Sequence, residues 1–187
     1  MLGPGPVGRQ VAHGRALLAA LPERGRVLDL GSGGGLPGLV LATYRPELEL
    51  TLLEARRRAC QFLRDAVARL GATAVTVVEA RAEEAARRAE LREVFDAVVA
   101  RSFGPPPVTA ECAVGFLRPG GRLVVSEPPE EEGGPRWPAD GLDVLGFGPP
   151  VRGGGPEASF VTLEKIRSSE RWPRRVGVPA KRPLWGA

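Results

Sequence analysis

Short apolar runs alternate with longer segments of helical spacing along most of the chain. Each apolar run has the length of a buried strand and is flanked by charged or turn-forming residues, so the runs predict strands. The predicted strands are 27–30, 48–53, 74–78, 94–100 and 122–126, and the predicted helices are 7–21, 36–44, 56–70, one reaching about residue 92, and 108–117. This alternation is typical of a parallel sheet with helices on both faces.

The pattern changes after the fifth predicted strand. Residues 127–138 are acidic and rich in Pro and Gly, which predicts a mobile loop. Two more strands are predicted at 142–147 and 159–165, separated by turn-forming residues at 149–156. We therefore expect a doubly wound α/β sheet, mostly parallel with an antiparallel edge strand. With 187 residues, the chain is expected to form a single domain. Its predicted parts are a short N-terminal helix (1–25), a core (26–165) and a basic C-terminal tail (166–187).

The first predicted strand ends on an acid and opens into glycines. The glycine loop, as we call residues 29–36, is expected to bring its backbone close to a ligand and to direct free N–H groups of the next helix toward it. A nucleotide-type site is therefore predicted at the carboxyl edge of the sheet. The loop residues expected at this site are Asp29, Gly31, Ser32, Gly33, Gly35 and Leu36. The alternative is a strand, turn and helix with no ligand.

Two acids indicate which nucleotide is bound. A dinucleotide-binding loop has its acid about 20 residues after the glycines, whereas here Asp29 precedes the glycines and Glu54 closes the second strand. This arrangement resembles class I S-adenosylmethionine-dependent methyltransferases. The resemblance implies that the first acid lies near the methionine end of the cofactor and that Glu54 accepts hydrogen bonds from the ribose hydroxyls. A nicotinamide dehydrogenase fits poorly, because no acid or base for hydride transfer is apparent.

Composition and charge limit the cellular environments and the binding partners that we expect for this protein. No apolar run approaches the length of a membrane span, and the first residues lack a secretory pattern, so we expect a cytoplasmic protein with no membrane partner. The two isolated cysteines and single histidine predict reduced packing thiols and no metal site. The tail from Glu164 onward carries seven basic residues and two acids, which is typical of a phosphate-contacting segment or of a solvated chain end.

A narrower resemblance joins several motifs. The Leu-Pro-Gly at 36–38, Arg81-Ala82-Glu83-Glu84, Arg101-Ser102-Phe103 and the closing Arg174-Arg175-Val176-Gly177-Val178-Pro179-Ala180-Lys181-Arg182-Pro183-Leu184 occur in this order. Together they resemble the bacterial small-subunit ribosomal RNA guanine-N7 methyltransferase family, also called glucose-inhibited division protein B. The resemblance implies S-adenosylmethionine as cofactor and ribosomal RNA or the small ribosomal subunit as partner. A monomer is expected.

The resemblance also implies roles for individual residues. Further cofactor contacts are expected at Ala82, Glu83 and Arg101, and the tail residues expected to contact RNA are Arg174, Arg175, Lys181 and Arg182. Guanine N7 carries a lone pair and no proton, so methyl transfer to it needs no general base and no catalytic residue is expected. His13 is interpreted as a structural or surface residue.

One segment departs from the family pattern. Where the family has Leu-Lys-Gly after the fifth strand, this chain has Ser126-Glu127-Pro128-Pro129. The acids Glu127 and 130–132 are expected to repel phosphate. Two alternatives therefore stay open: an enzyme of the same fold that methylates another substrate, such as a small molecule, and a cofactor-binding, ribosome-associated module without transferase activity.

Overall fold

A seven-stranded sheet forms the centre of the protein. The computed structural model describes residues 7–128, 136–155 and 158–186. The strands are β1 Gly25–Leu30, β2 Leu48–Glu54, β3 Val75–Glu79, β4 Phe95–Ala100, β5 Leu117–Glu127, β6 Val151–Gly155 and β7 Ala158–Glu164. The helices are α1 Val7–Ala16, α2 Gly38–Tyr44, α3 Arg57–Leu70, α4 Ala82–Ala85, α5 Pro106–Val114, α6 Ala139–Leu145 and α7 Val178–Lys181, and a 3-10 helix spans Leu17–Ala20.

The strand order is β3-β2-β1-β4-β5-β7-β6. Strands β1 to β5 are parallel, and β7 runs antiparallel to both β5 and β6. The predicted doubly wound sheet with an antiparallel pairing at one side is therefore confirmed. The strand order reverses at β1, which lies between β2 and β4, and ligands of such sheets bind at this reversal.

Side chains of the central strands alternate between two cores. Leu28 and Leu30 of β1 pack with α4, α5 and α6 on one face of the sheet, whereas Val27 packs with α2, α3 and the 3-10 helix on the other face. Because both faces are covered, these strands are apolar at almost every position. This double burial explains why continuous apolar runs located β1, β2, β4 and β5 in the sequence.

The strand predicted at 142–147 is wrong. Helix α6 occupies most of this segment, with Leu142 and Leu145 buried one turn apart. Gly146 then ends the helix in the left-handed region, at φ 85°. The strand that pairs with β7 is instead β6, within the predicted turn. Its sequence Val-Arg-Gly-Gly-Gly is exposed throughout, so no hydrophobic alternation marked it. The strand predicted at 159–165 is confirmed as β7.

Three further predictions need adjustment. The N-terminal helix ends at Ala16 and continues only as the 3-10 helix. The charged helix expected to reach residue 92 is a single turn, α4, followed by turns. Strand β5 begins earlier than predicted, at Leu117, which pairs with Phe95; a bulge then separates this pair from the pairing of Arg122 with Ala97.

Buried contacts fasten the C-terminal tail to the helical layer. Trp172 is 2% exposed, and its indole N–H donates to the carbonyl of Val144 at 3.0 Å. The guanidinium of Arg174 donates to both carboxylate oxygens of Glu111, at 2.8 and 2.6 Å. Glu111 lies on α5 and is fully buried. The structure therefore gives Arg174 a role in anchoring the tail, while Arg175, Lys181 and Arg182 are exposed to solvent.

The variant Arg174→Ala leaves the buried carboxylate of Glu111 without its cation. We expect the free energy of unfolding to fall by about 3 kcal/mol or more, since an unpaired buried charge is costly. Urea titration followed by circular dichroism measures the change. The matched variant Arg175→Ala removes an exposed neighbour and is expected to change stability by less than about 0.5 kcal/mol. Equal effects of the two variants would contradict the anchoring role.

Candidate functional site

The glycine loop crosses from β1 toward the end of β2. The N–H groups of Gly31 and Ser32 both donate to the carbonyl of Leu53, at 2.9 and 3.0 Å. Gly31 has φ 73°, and a Cβ at this position would lie 2.6 Å from the ring of Phe103. Only glycine therefore allows the loop to pass this close to the end of β4.

Glu54 lies directly across from the loop. Its Oε2 accepts a hydrogen bond from the N–H of Gly33 at 2.9 Å, and its Oε1 accepts from the backbone N–H and Nε of Arg56, at 2.8 and 3.1 Å. Burial raises the pKa of the Glu54 carboxyl, but the hydrogen bonds and charge of Arg56 outweigh it and leave the pKa below its usual value. Glu54 is therefore a buried, ionised carboxylate at the carboxyl end of β2.

The cofactor cavity, as we call it, opens beside this carboxylate. It has a volume of about 400 Å³ and is lined by residues that follow β1, β2, β3 and β4. Of the predicted cofactor residues, Gly31, Glu54, Ala82 and Glu83 line it. Its size is that of a small-molecule site. Leu53 and Phe103 add apolar surface, and the carboxylate of Glu54 fits a ribose diol, so the residues present suit an adenosine-type ligand.

Asp29 lies outside the cofactor cavity lining and supports the loop. It is 1% exposed, and its Oδ2 accepts from the N–H of Gly38 at 3.1 Å. A Cβ at Gly38 would lie 2.5 Å from the same oxygen, so this contact also depends on glycine. The hydroxyl of Ser32 donates to the backbone carbonyl of Asp29 at 3.0 Å. These bonds fix the loop to the start of α2, and Ser32, Gly33, Gly35 and Leu36 also lie outside the lining.

The tail reaches the rim of the cofactor cavity. The N–H of Gly177 donates to Glu83 Oε1 at 2.9 Å. Gly177 immediately precedes α7, which ends at Lys181. The exposed cations Arg175, Lys181 and Arg182 thus lie within five residues of a contact with the cavity lining.

A second cavity adjoins the first and shares Ser102 and Phe103 with it. This acceptor cavity, as we name it, has a volume of about 320 Å³ and is lined by residues from α1, the carboxyl ends of β4 and β5, and residues 136–137. Arg101 lines this cavity and not the cofactor cavity. Its Nη2 donates to Gln10 of α1. The two cavities therefore lie side by side at the carboxyl edge of the sheet.

Several residues of the acceptor cavity were not connected with one another by the sequence analysis. His13, expected to be structural or at the surface, lines the cavity, and its Nε2 lies 2.8 Å from Ser126 Oγ. Glu127 was expected to repel phosphate, but Arg136 pairs with it at 2.8 Å and its side chain is only 1% exposed. The acids at 130–132 lie outside the described residues. No local motif links His13 to a partner 113 positions away.

Among residues 7–128, 136–155 and 158–186, no group of three or more His, Cys, Asp or Glu side chains could hold a metal ion. Cys60 and Cys112 are both buried and free, as predicted for packing thiols. No helix in these ranges is long and apolar enough to cross a membrane.

The protonation of Asp29 makes the loop sensitive to pH. Burial raises the pKa of Asp29 to about 7, whereas an unfolded aspartate titrates near pH 4. The native state holds the proton across this interval, so the stability that Asp29 contributes is lost as pH rises toward and through 7. Between pH 5 and pH 8 we expect wild type to lose roughly 2 to 3 kcal/mol more of its unfolding free energy than Asp29→Asn does.

Urea titrations of both proteins at several pH values measure this difference. Asparagine retains an acceptor for the Gly38 N–H but cannot ionise. Parallel stability curves for wild type and Asp29→Asn would show that Asp29 does not titrate in this range.

Comparisons with known proteins show which family the chain resembles. The model of the family described as rRNA small subunit methyltransferase G matches residues 9–131. A protein from Rubrobacter xylanophilus named ribosomal RNA small subunit methyltransferase G is 41% identical over 180 residues, covering 91% of this chain and 69% of that protein. One of the same name from Moorella thermoacetica is 35% identical over 175 residues, covering 90% of this chain and 73% of that protein.

The fold also matches a solved structure. The crystal structure of a SAM-dependent methyltransferase from Aquifex aeolicus superposes with a TM-score of 0.61 and 15% identity, covering 87% of this chain and 94% of that chain. This likeness shows the fold alone. Because the family model spans well over half of the chain, and the two relatives match across more than two thirds of their own lengths, the chain belongs to the rRNA small subunit methyltransferase G family.

Proposed function

We propose that the protein transfers a methyl group from S-adenosylmethionine to N7 of a guanine in small-subunit ribosomal RNA. The observation that carries the proposal is the pair of adjoining cavities at the carboxyl edge of the sheet, one holding a buried carboxylate suited to a ribose and the other lined with polar groups. The shared Phe103 gives the two ligands a common wall. Membership of the family, and the names of its relatives, support the same reaction.

In the cofactor cavity, Glu54 accepts hydrogen bonds from the two ribose hydroxyls. Arg56 covers this carboxylate, but its side chain is 67% exposed, so it can swing into solvent when the ribose arrives. The backbone at Gly31 faces the methionine part of the ligand, and Ala82 and Glu83 bracket the adenine. Asp29 and Ser32 keep the loop in position from behind, and Arg101 acts on the acceptor side.

The chemistry requires positioning and no proton transfer. S-adenosylmethionine supplies an activated methyl group on a sulfonium. The N7 lone pair forms the new N–CH₃ bond while the C–S bond breaks and its electron pair stays on sulfur. Positive charge passes to the purine ring. The protein must hold N7 in line with the C–S bond and exclude water, an effect of orientation. The base must leave any stack first, because a stacked base cannot enter a cavity.

Exposed cations of the tail provide the contacts to RNA. Arg175, Lys181 and Arg182 are exposed and lie within five residues of Gly177, which bonds to the rim of the cofactor cavity, so they can meet phosphates. Arg174 contributes by anchoring the tail and only indirectly to RNA binding. In this proposal the protein is a single domain and a monomer. It acts in the cytoplasm, where ribosomal subunits are made.

Methyl transfer can be measured directly. Purified protein is incubated with radiolabelled methyl donor and small-subunit RNA, or intact small subunits, from a strain deleted for its own guanine-N7 enzyme. Nucleoside analysis is expected to show label in 7-methylguanosine. Label in another nucleoside would show that a different base is the target. Donor binding by calorimetry without any label in RNA would favour a different substrate or a module that binds the cofactor without transfer.

Glu54→Gln is expected to weaken binding of S-adenosylmethionine by about tenfold or more. Glutamine keeps the shape, but its amide nitrogen cannot accept a hydrogen bond from the second ribose hydroxyl. Titration calorimetry measures the dissociation constant. The control Glu84→Gln changes an exposed acid of α4 outside the cavity lining and is expected to bind like wild type. Equal affinity of Glu54→Gln and wild type would exclude the ribose contact.

Replacing Arg175, Lys181 and Arg182 together by Ala is expected to reduce the salt dependence of RNA binding. Each lost phosphate contact lowers the slope of log K against log salt concentration by about 0.7 for single strands, so the slope should fall by about 2. Filter binding at several salt concentrations gives the slope. The control triple variant removes Arg24, Arg69 and Arg122, which are exposed and lie away from both cavities. An unchanged slope in the tail variant would place the RNA on another surface.

A further inference from the structure

We propose that the acceptor cavity is the pocket for the target guanine and that the carboxylate of Glu127 reads its Watson–Crick edge. This inference rests on the proposed function and adds the residues that select the base. The cavity of about 320 Å³ is large enough for a purine with its ribose. Its shared wall with the cofactor cavity puts a base held there next to the methyl donor.

Two buried donors indicate that a polar ligand belongs in this cavity. Among the residues that the structure describes, Arg101 Nη1 and Trp137 Nε1 are the buried side-chain nitrogen or oxygen atoms without a hydrogen-bond partner. Both residues line the acceptor cavity, and Trp137 is only 4% exposed. A buried donor left without an acceptor is unfavourable by about 1 to 3 kcal/mol. A ligand with an acceptor, such as the O6 of guanine, would remove this cost.

Glu127 supplies the complementary acceptor. Its side chain is 1% exposed at the end of β5, and Arg136 Nε donates to its Oε2 at 2.8 Å. The contact of Arg136 Nη2 with Oε1 is long, at 3.5 Å. A carboxylate has about four lone-pair positions, so Glu127 can accept further hydrogen bonds. Guanine is the standard base that presents two adjacent donors, N1–H and the exocyclic amine, and both fit one carboxylate.

This arrangement of donors and acceptor leaves N7 of the guanine, the reacting atom, without a hydrogen bond. A guanine whose N1–H and amine face Glu127 keeps N7 on the opposite side of the ring, unbonded and able to attack. The negative charge of Glu127 also stabilises the positive charge that the purine gains during transfer, which favours the transition state. Adenine offers only one donor on this edge, so the pocket selects against it.

The surrounding contacts keep Glu127 in position. His13 Nε2 lies 2.8 Å from the hydroxyl of the adjacent Ser126. On the other side, the tail's Trp185 donates through its indole N–H to the carbonyl of Arg136 at 3.1 Å. Arg136 therefore acts as a positioning residue for the carboxylate, and the tail stabilises the wall that carries it.

The variants Glu127→Gln and Trp137→Phe test the pocket. Their substrates are small-subunit RNA with guanosine at the methylated position and the same RNA, assembled by ligation, with inosine there. Inosine retains N7, O6 and N1–H but lacks the exocyclic amine. We expect wild type to prefer guanosine over inosine by about tenfold or more in kcat/KM. Glu127→Gln is expected to lose about 10- to 100-fold on guanosine RNA and to lose most of this preference.

Trp137→Phe keeps an aromatic side chain and removes the indole N–H donor. It is expected to lower kcat/KM several-fold on both RNAs and to retain the preference. Binding of S-adenosylmethionine by calorimetry should match wild type in both variants, which also shows that they fold. Glu164→Gln, an exposed acid at the opposite edge of the sheet, is the matched control.

The outcomes separate the two proposals. If Glu127→Gln loses the same factor on both RNAs, or loses nothing, Glu127 does not read the base and the inference is overturned while the proposed function stands. If wild type binds the donor but forms no 7-methylguanosine on guanosine RNA, the proposed function fails and the inference fails with it.

Discussion

The parallel pairing of β1 with both β2 and β4 determines where the functional groups of this protein lie. Leu30 at the end of β1 pairs with Leu53 on one side and with Ala100 on the other. The residues that follow these three strands, the glycine loop, Glu54 and Arg101, must therefore meet at one edge of the sheet. A slip of one residue would exchange the two faces of a strand and bury the wrong side chains, so the apolar core also fixes the register of the site.

Two acids at this edge have pKa values shifted in opposite directions because their surroundings differ. Asp29 is enclosed behind the loop, where burial outweighs the hydrogen bonds from Ser32 and Gly38 and raises its pKa to about 7. Glu54 is also shielded, but Arg56 and Gly33 donate to it and lower its pKa. The first acid therefore supports the loop, and the second offers a charged acceptor to a ligand. Sequence position alone does not distinguish these roles, since both residues close a buried strand.

Parts of the fold could be predicted from the sequence where a local pattern of residues has a local structural cause. Strands buried on both faces and the glycine loop were located because continuous apolar runs and glycines have direct structural consequences. Strand β6 was missed because an exposed, glycine-rich strand has no hydrophobic alternation. The acceptor cavity was missed because its contacts join α1 to β5 and residue 136 to β5 across the fold. The charge of Arg174 suggested RNA binding, but only the folded structure shows that Glu111 already neutralises it.

The C-terminal tail contacts residues beside both cavities. Gly177 bonds to Glu83 at the rim of the cofactor cavity, and Trp185 packs on Gly141 and bonds to Arg136 beside the acceptor cavity. Between these points the tail carries Lys181 and Arg182, which are exposed to solvent. Lys181 and Arg182 therefore lie on a segment that contacts residues beside both cavities. The tail is therefore part of the site, although it lies outside the sheet.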